Sequence, residues 1–462
     1  MTTQLFARHA LLPTGWAPNV LVQWDKAGLI RQVQTHVAQP PGQSSATELL
    51  VPGMPNLHSH AFQRASAGLT EYRYAEQDSF WSWRNLMYSF AAHITPEQLE
   101  AIATWLYAEM LEAGYTSVCE FHYVHHQSDG QPYADSATLS QCLLNAAKRT
   151  GIGMTLLPVL YQTGGFGALP PGDGQKRFIH TTDAMLKLLD KLLPQCQAQN
   201  AKLGIAPHSL RAVPPESLNA IIEGMNQLDA TAPIHIHIAE QTKEVDDCIA
   251  WCGQRPVEWL MDHMAVDARW CLVHATHMNA SEYQQAASSG AIAGLCPTTE
   301  ANLGDGIFDL PQWLQHQGRW GIGSDSHVTV NAAAELLALE YSQRLQRRQR
   351  NVAASTATPS VAQNTYLQAV QGGAQASGRP IAGIAVGQNA DLVELDCQHR
   401  ALAQLTPDQA LSGHVFGSSR TSAIRRVWTQ GILRVDQKHL LHQPAQKEFI
   451  QARTQLLRHI HD

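Results

Sequence analysis

From residue 49 onward the chain alternates short apolar runs with longer segments whose apolar residues recur every three to four positions. The runs are 49–54, 117–123, 153–161, 202–208, 233–239, 270–274, 291–297 and 320–324. Most stay apolar along much of their length, as parallel strands covered on both faces do; a half-exposed strand alternates with period two instead. The segments between them carry helical spacing. Over 96–113, Leu99, Ile102, Leu106, Met110 and Leu111 fall on one stripe, with Thr95 as the expected N-cap, Pro96 as the first helical residue and Gly114 as the stop. Eight strand–helix units predict an α/β protein with a closed (β/α)8, TIM-type barrel. The competing open sheet would carry a GxGxxG turn after its first strand, and none is present.

The two ends read differently. Short strand-like runs at 20–24 and 29–37 are matched late in the chain by 391–395, 424–428 and 432–435. Residues 1–48 and 386–462 are therefore expected to meet in one small, discontinuous β-sandwich, leaving 49–385 to the barrel. The Ala/Ser/Thr-rich stretch 351–359 reads as an exposed loop.

Composition narrows the function classes. A chain of 462 residues is long for a single core, and 44% apolar with 15% charged residues is a globular balance. The formal charge of −7 offers no basic stripe for nucleic acid. The apolar runs, such as 332–339, fall short of the roughly 20 residues that span a bilayer, and residues 1–15 lack a secretory pattern. A cytoplasmic protein is expected, with a homodimer left open. Cys248 and Cys252, one helical turn apart, read as reduced helical thiols.

The chemistry lies at the ends of the runs. His58-Ser59-His60 follows the first run, and residues two apart in extended backbone point to the same side. Alone, an HxH is a weak signal. The fifth run, however, ends in His235-Ile236-His237-Ile238-Ala239-Glu240, the sixth in His274, and the eighth leads to Asp325. All sit at C-terminal strand ends, where barrels build active sites. Two imidazoles, a third imidazole and a carboxylate make a set of N/O ligands for one zinc ion with an open position for water. Spacing does not separate His235 from His237. His237 is favoured as the ligand because it lies nearer the rim and Glu240 follows it, and His235 then reads as a hydrogen-bonded interior side chain.

As a set, Pro55-Asn56-Leu57-His58-Ser59-His60, His237-Ile238-Ala239-Glu240, Leu272-Val273-His274-Ala275, Gly323-Ser324-Asp325-Ser326 and Gly387-Gln388-Asn389-Ala390-Asp391-Leu392 resemble the amidohydrolase superfamily in its aminohydrolase branch. The resemblance implies one zinc on His58, His60, His237 and Asp325, with Glu240 as proton shuttle and His274 beside the water. Lys202 stands at the wrong end of its strand to bridge two metals. Neighbouring residues, in His60-Ala61-Phe62-Gln63-Arg64-Ala65, Glu120-Phe121-His122-Tyr123 and Ala206-Pro207-His208-Ser209-Leu210-Arg211-Ala212-Val213, are similar to the formimidoylglutamate deiminase group of that family. This likeness implies hydrolysis of N-formimidoyl-L-glutamate to N-formyl-L-glutamate and ammonia, with Gln63, Arg84, Tyr123, His208 and Arg211 lining the pocket. A substrate with two carboxylates suits paired arginines, whose planar forks bind carboxylates in bidentate fashion. Arg84 is expected in an aromatic loop, Phe80-Trp81-Ser82-Trp83-Arg84, over the mouth. The implied chemistry has Asp325 accept the water proton, with His274 orienting or deprotonating that water, and Glu240 protonate the departing nitrogen. Two rivals stand beside this reading. One is deamination of an aminated heterocycle, favoured by stacking on Trp81 and Trp83. The other is a non-catalytic barrel scaffold, which predicts loss of Glu240, Asp325 or a metal histidine; all are present.

Overall fold

The computed structural model describes residues 3–41, 46–72, 80–418 and 421–461. The chain opens with a hairpin, β1 (Thr3–Leu12) and β2 (Gly15–Trp24), followed by β3 (Ile30–Gln34). β4 (Thr47–Pro52) then pairs in parallel with β1.

The barrel begins after Gly53. Its staves are β5 (Met54–Ser59), β6 (Tyr115–His122), β7 (Gly153–Leu160), the broken pair β8 (Lys202–Leu203) and β9 (Ala206–Pro207), β10 (Ile234–Ile238), β11 (Trp270–His274), β12 (Ile292–Leu295) and β13 (Arg319–Ile322). β5 to β7 pair in parallel, β7 holds both halves of the broken stave, and β10 to β13 are parallel. Single bridges at Ile205–Ile234 and Ser209–His237 carry the broken stave to β10. The ring closes where Asp325 N donates to the His58 carbonyl (3.0 Å) and His60 N to the Asp325 carbonyl (3.3 Å). Every residue of β5, β6, β7, β10 and β11 is buried, which is why these runs lack alternation.

The first barrel strand was expected at 49–54, and here the structure differs. Residues 49–52 belong to the outer sheet, where Leu49 to Pro52 pair antiparallel with Leu395 to Leu392. Both strands are apolar and a single glycine separates them, so pattern alone does not show the break. β14 (Leu392–Leu395), β15 (Ile424–Thr429), β16 (Ile432–Asp436) and β17 (Lys438–His439) complete a mostly antiparallel sheet of eight strands that joins the two ends of the chain. The last segment departs from the expected small unit. His442–His461 is a helix lying on the barrel helix Pro96–Glu112, with Phe449 stacked on Trp105 at 6.1 Å and Gln98 bonded to Gln455 at 3.2 Å. Pro96–Glu112 starts with a capping box: Thr95 Oγ1 accepts from Gln98 N (3.3 Å), and Gln98 Oε1 from Thr95 N (3.0 Å). Arg84 lies on a helix, Phe80–His93, instead of a loop. The Trp81 side chain lies outside the described residues.

Candidate metal centre and substrate pocket

β5 delivers its histidines from a buried strand end, and a second layer of bonds holds them. His60 Nδ1–H donates to the Phe121 carbonyl (2.9 Å) and His237 Nδ1–H to the His208 carbonyl (3.3 Å), so each Nε2 offers a lone pair. His60 Nε2 faces Asp325 Oδ1 at 3.2 Å, and His58 Nε2 lies 3.4 Å from that oxygen and 3.1 Å from His60 Nε2. A lone pair opposite a carboxylate oxygen at that distance repels unless a cation lies between them. One donor atom from each of His58, His60, His237 and Asp325 falls within 4.8 Å of the others, and all four residues are buried. Burial and neighbouring imidazoles keep His237 neutral, and burial holds His58 down at about 3 despite Asp325. Burial opposes ionisation of Asp325, but the His58 and His60 imidazoles beside it outweigh that and hold the carboxyl well below the usual range. Three imidazoles and a carboxylate fit a divalent ion of the zinc type.

His235 points into the same barrel one layer lower. Its Nε2–H donates to the Ala376 carbonyl (2.8 Å), capping the end of the helix Val361–Ser377.

The support for β5 was only partly visible in sequence. Glu120 on β6 accepts from Ser59 Oγ (2.6 Å), Ala61 N (2.6 Å) and Tyr107 OH (3.0 Å), and burial pushes it up to about 7. His327 lies between Ser59 Oγ (3.2 Å) and Ser324 Oγ (3.0 Å), and Asn56 Nδ2 donates to Ser324 Oγ (2.7 Å). The chain of polar groups thus ties β5 to the loop that carries Asp325. Polar residues in an otherwise apolar strand were the available signal. Asp325 has φ 44° and His274 φ 68°, a left-handed backbone that turns both side chains inward at the strand ends.

Beside the quartet stand the proton-handling groups. His274 Nε2 lies 3.7 Å from Glu240 Oε1 and 3.8 Å from Asp325 Oδ2, while its Nδ1–H points to Glu300 at 3.3 Å. Burial favours neutral His274, but Glu240, Glu300 and Asp325 outweigh it and hold the imidazole up at about 10. Burial raises Glu240 to about 7, against the pull of His274 and Arg211.

One pocket is lined by His60, His237, Glu240, His274 and Asp325 together with Gln63, Arg84, Tyr123, His208 and Arg211. Gln63 Nε2 donates to Tyr123 OH (2.8 Å), fixing both at the wall. Arg211 is half-buried; against the burial, Glu244, Tyr161 and Glu240 hold its charge more firmly. Arg84 sits over the Tyr88 ring at 5.4 Å. Tyr88, Tyr161 and Phe178, unanticipated from the sequence, complete an aromatic wall beside Trp83.

Residues 49–433 match the amidohydrolase family. The chain is 48% identical over 456 residues, 98% of its own length and 99% of the relative's, to a formimidoylglutamate deiminase of Pseudomonas aeruginosa. It is 26% identical to an 8-oxoguanine deaminase of the same species, over 77% of each chain. An amidohydrolase of known structure from Brucella melitensis matches with a TM-score of 0.93 at 47% identity, covering 98% of this chain and 99% of that one. A zinc-bound adenosine deaminase from Xanthomonas campestris matches at 0.76 with 22% identity, covering 98% of each, a likeness of fold alone.

Proposed function

The chain belongs to the amidohydrolase family, and from that premise we propose that it hydrolyses N-formimidoyl-L-glutamate to N-formyl-L-glutamate and ammonia, a deimination of histidine degradation. The observation that carries the reading is a pocket where a metal-competent quartet and a buried acid meet two arginines, in a chain 48% identical to a formimidoylglutamate deiminase. It is a cytoplasmic enzyme on this reading.

His58, His60, His237 and Asp325 would hold zinc, which would supply the Lewis acidity that makes a water nucleophilic near neutral pH. Asp325 accepts the proton of that water, and His274 orients the water from the adjoining corner. Attack at the formimidoyl carbon gives a tetrahedral adduct. Glu240 then protonates the amino nitrogen; the C–N bond breaks and its electron pair leaves with ammonia. The hydroxyl proton of the adduct passes back to Glu240 as the formyl C=O forms, and the proton on Asp325 leaves with the ammonia as ammonium. Arg211 and Arg84 bind the two carboxylates, while Gln63, Tyr123 and His208 shape the wall around the formimidoyl group.

The experiment is an ammonia-release screen of formimidoyl compounds and aminated purines, with metal analysis of the same preparation. Turnover of formimidoylglutamate by a zinc-loaded enzyme is expected. Arg211→Met should lower kcat/KM for it by orders of magnitude, since breaking a desolvated charge pair costs about 2–5 kcal/mol. The loss should be much smaller on a formimidoyl compound lacking the matching carboxylate, compared at one ionic strength. Equal losses on both would make Arg211 a support of the fold. Activity on a purine with none on formimidoylglutamate would overturn the substrate while leaving the metal chemistry.

A further inference from the structure

The helix Pro297–Leu303 ends in Gly304, and the chain turns back through Asp305 and Gly306 toward the catalytic corner. Both glycines are left-handed (φ 71° and 129°), and a Cβ on Gly306 would come within 3.1 Å of the His277 ring. This turn is tied to the residues that follow the two proton-handling groups. Gln241, next after Glu240, donates its Nε2–H to Asp305 Oδ1. His277, three residues beyond His274, donates Nε2–H to the Asp305 carbonyl at 2.8 Å. Asp305 N donates to the Glu300 carbonyl at 3.0 Å. Asp305 is 4% exposed, and its Oδ2 is buried with no partner in the protein.

Asp305 also belongs to a cluster. One donor atom from each of Glu240, His274 and Asp305 lies within 4.8 Å of the others. Two carboxyl groups this close, out of water, do not both ionise. Asp305 is the one that stays neutral: burial and the nearby Glu240 charge push it up to about 9, against the pull of His274.

We propose that Asp305 is a positioning residue for Glu240: its neutral carboxyl turns Oδ2–H toward Glu240, holds that side chain in place, and steadies its charge once its proton has gone to the departing nitrogen. Asp305 keeps its own proton throughout the cycle, so no proton is consumed or released by it. The inference rests on the reading of Glu240 as the acid. The groups that act on Glu240 are His274, Arg211, Asp325, Glu244 and Asp305; those that act on Asp305 are Glu240, His274, Glu300 and Gln241.

The test separates a neutral donor from an anion. Asn can present Oδ1 to Gln241 and an N–H where Oδ2 stood, so Asp305→Asn should keep kcat, KM and metal content close to wild type. Asp305→Ala should keep its metal and its KM but lose about 10–100-fold in kcat, the scale of a lost outer partner. Losing a donor to its anion weakens Glu240 as an acid, so the alkaline limb of the kcat–pH profile should move to higher pH in Asp305→Ala and stay in Asp305→Asn. Equal losses in both variants, or an unshifted limb in Asp305→Ala, overturn the proposal. Should Asp305→Ala fail to fold, Asp305→Asn still decides, because a required anion predicts a large loss there. Glu240→Gln is the control: full activity in it removes the acid itself, whereas an inactive Glu240→Gln beside a normal Asp305→Ala removes only Asp305.

Discussion

His235 and His237 are chemically identical, lie two apart on one strand and face one interior, yet the structure gives them different neighbours. His237 shares its layer with His58, His60 and Asp325, and its proton goes to the His208 carbonyl. His235 sits a layer below, bonded to the Ala376 carbonyl, with burial pushing it down to about 4. The expected outcome is a split between two measurements. His237→Ala should lose metal by elemental analysis while its fold persists. His235→Ala should keep metal but lose stability, of the order of 1–3 kcal/mol for a buried carbonyl left without its donor. Metal lost from His235→Ala and kept by His237→Ala would reverse the ligand assignment.

At the scale of elements, the seam between β13 and β5 carries the site. It places Asp325 against His58 and His60 through two backbone hydrogen bonds, and it allows that approach because glycines line it. A Cβ on Gly323 would stand 2.8 Å from both His58 Cβ and His58 N, and one on Gly321 would stand 2.6 Å from Leu57 Cδ2. No flexible chain end is available at Gly323 to move aside; the backbone of the ligand strand must shift. Overpacking of this kind costs about 1–3 kcal/mol, and here the displaced atoms belong to a metal ligand. Gly323→Ala should therefore lower Tm and metal content together. An alanine variant with full metal occupancy would show that the seam has slack the structure does not suggest.

For the molecule as a whole, the outer sheet and the barrel meet around a buried carboxyl. Asp391, just before β14, accepts from Gln430 N (2.7 Å) through Oδ1, and its carbonyl accepts from Gly53 N (2.9 Å), at the step between the outer sheet and the first barrel strand. Burial raises Asp391 to about 6, partly offset by Gln430 and Arg379. A carboxyl whose folded value lies above its unfolded one adds stability that is complete below about 4 and is lost as pH rises through about 6. The swing is at most about 3 kcal/mol. Asn cannot ionise, so the stability of wild type relative to Asp391→Asn should fall between pH 4 and 6 and level off above. Thermal unfolding of both proteins across that range measures it, and a pH-independent difference would mean that Asp391 ionises as freely when folded as when unfolded.

The eight-unit barrel was legible because buried parallel strands write themselves as unbroken apolar runs, and helix stops such as Gly114 are local. The candidate site was legible in part for a related reason: metal-competent side chains fall at strand ends, and strand ends can be counted along the chain. His58, His60, His237, Glu240, His274 and Asp325 could all be named without coordinates. Partnership was not legible. Apolar character alone does not say that 49–52 pair with β14 and that the barrel starts at Met54, because either sheet would bury them. Nor does helical spacing say where the last helix docks. Asp305, His327 and Glu120 act through residues 61 to 268 positions away, and no local pattern encodes a hydrogen bond across such a separation. Residue type and period determine which segments become strands and which side chains can do chemistry. Only the closing of the ring decides which of them face one another, because that depends on distances set by backbone approach at glycine and by shared burial.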